Sequence, residues 1–147
     1  MILRRKSIPE LLESTGNLLN YARLKLMAAY NVISNSTKGK ALNESTLVSA
    51  MAGIPLLPEF TASMYLSGAS SDIRKAQKNL QKICKALREV KDEEYKSTLK
   101  PLLNTVIESL SEIEDKLKLG RKGVIEAIEL LNETIGIINE ITSHLRG

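Results

Sequence analysis

Four segments of this chain carry aliphatic residues spaced alternately four and three apart, and that repeat leaves few folds open. The first runs Ile8, Leu12, Leu19, Ala22, Leu26, Ala29, Ile33, with Thr15 filling one place. The second runs Ile73, Ala76, Leu80, Ile83, Leu87, Val90. The third is Leu99, Leu103, Val106, Leu110, Ile113, Leu117. The fourth is Val124, Ile128, Leu131, Ile135, Ile138, Leu145, widened by Ile125, Ile137 and Ile141. On a helix each set falls on one side, so each segment offers a stripe that must be covered. Four such helices can cover one another in a bundle.

Composition points the same way. Aromatic residues make up 3% of the 147, with Phe60 the sole Phe and no Trp, so the core must be Leu, Ile, Val and Ala. Eight Gly and four Pro are too few for the turns of a multi-stranded β fold. The length suits one domain. The predicted fold is therefore all-α: a four-helix bundle with an apolar, Pro-interrupted connection of short helices between the first and second long helices.

Local signals set the expected boundaries. Residues 1–6, with Arg4, Arg5 and Lys6, form a basic arm. Ser7 and Glu10 have the spacing of a capping box, with Pro9 tolerated in the first turn, so the first helix should span about 8–34. From Thr46 to Leu66 the only charge is Glu59, and Gly53, Pro55 and Pro58 interrupt the stretch. Short helices are expected near 44–52 and 59–66, then a loop over 67–71 in which Ser70 or Ser71 caps a second long helix, about 71–96. A break near Ser97 or Thr98 would put Pro101 in the first turn of a third helix, about 98–119. The last helix, about 122–146, follows Gly120.

Catalytic chemistry is poorly supplied. The only His, His144, shares a helix face with Glu140, whereas a di-metal centre in a bundle needs two Glu-x-x-His units and two further inward carboxylates. The acidic groups at 92–94 and 112–115 lie in charged surroundings where a raised pKa is not expected. There is no glycine-rich phosphate loop and no nucleophile elbow. We therefore expect no enzyme, no metal and no cofactor. Cys84 is the single cysteine, so no internal disulfide framework exists, and a reduced, buried thiol in an intracellular, cytoplasmic protein is expected. The basic start is followed by Pro9, Glu10 and Glu13, which argues against a secretory leader.

Charge is the remaining signal. Residues 1–91 hold fourteen Lys and Arg against six Asp and Glu, while residues 92–147 hold seven against eleven. Between 73 and 88 lie Arg74, Lys75, Lys78, Lys82, Lys85 and Arg88, with no acidic residue. They sit opposite the aliphatic stripe and should form a solvent face of one sign. The span from 74 to 88 is roughly 21 Å of helix, enough to follow several phosphates. Arg4, Arg5 and Lys6 could add to it, and Lys116, Lys118, Arg121 and Lys122 make a second cluster. Gln81 lies within the face and Gln77 at its rim, but no aromatic interleaves with the cations, so base stacking is not expected.

The leading expectation is a non-catalytic macromolecular binding protein that turns this face to nucleic acid or an acidic protein surface. An alternative is a self-assembling structural protein, coat-like or filament-forming, in which the basic face meets Glu126, Glu129, Glu133 and Glu140 of another copy. The segment 46–66, with Met51, Leu56, Leu57, Phe60, Met64 and Tyr65, would supply the apolar part of that contact. A homo-oligomer is expected on this reading, and a virion would be its setting. A second alternative is a membrane-active bundle that inserts 46–66, but two prolines and Glu59 in a stretch of barely spanning length argue against a membrane partner.

Overall fold

The computed structural model describes residues 7–38 and 58–146. Among them the chain forms four helices and no strand: α1 (Ile8–Lys38), α2 (Pro58–Arg88), α3 (Glu93–Leu117) and α4 (Arg121–Arg146). α1 packs on α2 and α4, and α3 also packs on α2 and α4. The helices thus stand in a ring, with α1 diagonal to α3 and α2 diagonal to α4.

Cross-helix contacts fix the directions. Lys25 meets Asp72 while Ser14 meets Asn79, so α1 and α2 run antiparallel. Arg23 meets Asn132 while Gly16 lies against Ile138, so α1 and α4 are antiparallel too. Short turns make α2–α3 and α3–α4 antiparallel hairpins. The result is an up-down-up-down four-helix bundle.

The aliphatic stripes form the core. Leu12, Leu19 and Leu26 of α1, Ile73, Leu80 and Ile83 of α2, Leu99, Leu103, Leu110 and Ile113 of α3, and Leu131 and Ile138 of α4 are all fully buried. Each contributes about 2 kcal/mol relative to an exposed side chain. Thr15 fills its place in the first stripe, fully buried, and its hydroxyl donates to the Leu11 carbonyl at 2.7 Å. Thr134 does the same on α4 with Leu130, at 2.6 Å. Both hydroxyls are satisfied within their own helix.

Ser7 caps α1 as its spacing to Glu10 suggested: the Glu10 N–H donates to Ser7 Oγ, and that hydroxyl donates to the Glu10 carboxylate. α1 then continues through the polar run to Lys38, past the expected stop at 34.

α2 corrects the predicted organisation. The expected short helix at 59–66, the loop at 67–71 and the helix from 71 are one continuous helix. The reason lies in the packing. Ala62, Leu66 and Ala69 carry the four-and-three spacing back from Ile73, and Ala62 and Ala69 are buried. α1 and α2 share the most extensive interface of the bundle, where Ala22 and Ala29 of α1 and Ala62, Ala69 and Ala76 of α2 are buried. Small side chains permit that close approach, and its burial outweighs the low helix propensity of Ser67, Gly68, Ser70 and Ser71. The Asp72 carboxylate, 9% exposed, takes a 2.7 Å bond from Lys25 across the interface.

The end of α2 and the start of α3 are corrected as well. α2 stops at Arg88, not 96, with turn bonds from Glu89 to Ala86 and from Val90 to Leu87. Asp92 then caps α3, accepting from the N–H groups of Glu94 and Tyr95. Glu93 and Glu94 lie in the first turn, where the helix dipole favours acids. Pro101 consequently lies inside α3 and not in its first turn. It is tolerated on an exposed face, where water can reach the Ser97 carbonyl that its missing N–H leaves behind. The expected helix at 44–52 lies outside the described residues, as do Arg4, Arg5, Lys6, Met51, Leu56 and Leu57.

Candidate polyanion-binding face

Every cation singled out on α2 reaches solvent. Arg74, Lys75, Lys78, Lys82, Lys85 and Arg88 are all exposed, and Gln81 is exposed among them, while Gln77 is half-buried. The arrangement follows from the stripe opposite. Ile73, Ala76, Leu80, Ile83 and Leu87 are buried, so residues one and two places on are turned outward. Among the described residues, none of the six cations forms an ion pair. Of the two acids that flank the run in sequence, Asp72 is taken by Lys25, and Glu89 follows Arg88 at the helix end. The glutamates of α4 cannot compensate the face within one molecule, because α2 and α4 are the diagonal pair.

α3 extends the face in a way the sequence reading missed. The Lys96 ammonium donates to the Arg88 carbonyl at 3.4 Å and also pairs with Glu93 at 3.9 Å, so the exposed Lys100, one turn later, is the free charge that α3 adds. Assigning 96 to the tail of the second helix hid this, since the hairpin that brings Lys96 back beside Arg88 depends on the break at 89–92.

The second basic cluster is partly neutralised. Lys116 bonds the Glu126 carboxylate at 2.9 Å across α3 and α4. That bond, and then the opposite charge, hold the Lys116 ammonium above its ordinary pKa and the Glu126 carboxyl below its own. Glu126 is thereby committed inside the molecule. Glu129, Glu133 and Glu140 remain exposed on α4, and on α3 Glu108, Glu112 and Asp115 are exposed too; the sequence reading weighed the acids at 112–115 only as catalytic groups and did not take up Glu108. Their signal was a four-and-three spacing of acids, the counterpart of the spacing that marks the core.

The apolar candidates divide. Met64 and Tyr65 project from α2 at 62% and 38% exposure, and Phe60 lies in the first turn of that helix. Tyr21, Leu24 and Met27 of α1 are exposed as well. Cys84 is a free thiol and half-buried, against the full burial expected. His144 is exposed, with its Nε2 4.0 Å from Glu140. Among the described residues no group of three or more His, Cys, Asp or Glu could hold a metal ion. No described helix is long and apolar enough to cross a membrane. A shallow groove of about 580 Å³ lies between the start of α1 and the end of α4, lined by Asn17, Asn20, Asn139, Thr142 and Ser143. It is remote from the basic face.

Comparison of the chain with protein-family models, with curated proteins and with solved structures gave no match, so the reading of this face rests on its own chemistry.

Proposed function

We propose that this chain is a non-catalytic, intracellular binding protein that engages nucleic acid through the outer face of α2. One observation carries the reading: six exposed cations share one helix face and, among the described residues, none has an ion-pair partner. Uncompensated charge of one sign on a rigid helix attracts a polyanion, and release of counterions drives the association. The spacing supports backbone contact over base reading. The cations span roughly 21 Å, no aromatic lies among them, and Gln81 alone offers an exposed amide within the face.

The test is binding to duplex DNA as a function of salt. With six phosphate contacts, the log–log slope is expected near about −5. Replacing Lys78, Lys82 and Lys85 together by Ala should bring it to about −3. Binding that is absent, or that ignores both salt and the triple substitution, overturns the proposal. An acidic protein surface as the true partner would show as failure on DNA with salt-sensitive capture of an acidic polypeptide.

A further inference from the structure

Opposite charges gather on different faces of this bundle. α2 and α4 stand on diagonal corners, and each packs on α1 and α3. The corner at α2 shows Arg74, Lys75, Lys78, Lys82, Lys85 and Arg88. The diagonal corner at α4 shows Glu129, Glu133 and Glu140, and α3, which lies between the two corners, adds Glu108, Glu112 and Asp115, all exposed. On this side Lys116 is held by Glu126, and the exposed Lys118 and Lys122 sit at the end next to the α3–α4 turn.

The two faces also match in spacing. On α2, Lys78, Lys82 and Lys85 are four and three residues apart; on α4, Glu129, Glu133 and Glu140 are four and seven apart. Helices share one rise per residue, so the interval from Lys78 to Lys85 and that from Glu133 to Glu140 both measure roughly 10 Å. Two such helices laid side by side bring opposite charges level at more than one step. Within one molecule they cannot meet.

We infer that the α3–α4 acidic face docks on the basic α2 face of a second copy of this chain. The faces are different surfaces of the chain, so the contact is heterologous. A docked pair still presents one free basic face and one free acidic face, and association continues instead of closing as a dimer. This shares with the proposed function the premise that the α2 face engages negative charge, and it makes nucleic acid and a second copy competitors for that face.

The experiment is sedimentation velocity on the nuclease-treated full chain over a range of concentration, at low and high salt. At low salt the mass should rise with concentration past the dimer; at high salt only monomer should remain. Two triple variants isolate the faces: Lys78→Glu with Lys82→Glu and Lys85→Glu, and Glu129→Lys with Glu133→Lys and Glu140→Lys. Each alone should lose every species above monomer, because its altered face then carries both signs in equal number. An equimolar mixture should regain a dimer, because the unaltered acidic face of one variant meets the unaltered basic face of the other. The substituted side chains are exposed, and unchanged helical circular dichroism shows that each variant is folded. A wild type that stays monomeric at low salt, one that stops at a dimer, or assembly untouched by either triple overturns the inference. Duplex DNA binding by the Glu→Lys variant separates the two proposals. If DNA binding persists while wild type never assembles, the inference fails and the nucleic-acid reading stands. If wild type assembles and DNA does not bind, the reverse holds.

Discussion

α1 and α2 meet along five buried alanines and the Lys25–Asp72 pair, whereas α3 and α4 are joined by a three-residue turn in which glycine sets the geometry. Nineteen residues separate the ends of α1 and α2 in sequence. The register of the two helices is read from the surface between them. In the α3–α4 hairpin the turn itself is decisive. Gly120 takes a φ of +82°, the left-handed region that favours glycine. At Gly123 a Cβ would fall on the Lys116 carbonyl oxygen, so α4 begins pressed against the end of α3. One hairpin is specified along its length, the other at its tip.

The largest expected effect tests the tip. Gly123→Ala should destabilise the bundle by about 3 kcal/mol, since backbone must move to admit the methyl. Gly136 offers the control: nothing lies within 4 Å of its Cβ position, so Gly136→Ala should stabilise by about 1 kcal/mol. Chemical denaturation of both variants checks the pair, and equal effects would remove the distinction between them.

Next comes the length of the α1–α2 interface. The Asp72 side chain is 9% exposed and that of Lys25 is 39% exposed, so the two partners should not cost the same. Lys25→Met strands a buried carboxylate and should cost about 2 kcal/mol; Asp72→Ala frees an ammonium that water can reach and should cost about 1 kcal/mol. Replacing both by apolar residues should come close to neutral. The reverse order of the single variants would show that the pair is not what fixes the register.

The smallest effect belongs to the Lys116–Glu126 bridge near the α3–α4 tip. Glu126 is held below its ordinary value of 4.5, so its contribution is present above 4.5 and is lost as pH falls through the lowered value. Lys116 is held above 10.5, so its contribution is present below 10.5 and is lost as pH rises through the raised value. The difference in Tm between wild type and Glu126→Gln should be greatest between those limits and shrink on either side. A difference constant with pH would mean that the bridge contributes nothing.

The four stripes, and with them the fold class, were legible because burial imposes a period that survives in a single sequence. The mistakes came where two signals competed. Ser67, Gly68, Ser70 and Ser71 read as a loop by propensity, while Ala62, Leu66 and Ala69 kept the helical spacing; the spacing won because α1 lay alongside. Asp92 with Glu93 and Glu94 read as an acidic tail, yet it is a cap followed by a first turn, the ordinary signature of a helix start. The mirrored error placed Pro101 at a helix beginning. For the candidate face, exposure of the six cations followed from the period. Their lack of an ion pair among the described residues did not, since it depends on Lys25 reaching Asp72 and on α4 standing diagonal to α2, and neither is a property of α2 alone.

Pro101 gives α3 a built-in seam of another kind. It cannot donate to the Ser97 carbonyl, so the first two turns of α3 are joined to the rest of the helix by one backbone bond fewer than elsewhere. In hydrogen exchange the amides of these first turns should open as a unit, ahead of the turns that carry Leu103 to Ile113. Lys96 and Lys100 ride on that unit. The flank of the basic face is thus expected to open before the helix that carries the six cations of α2.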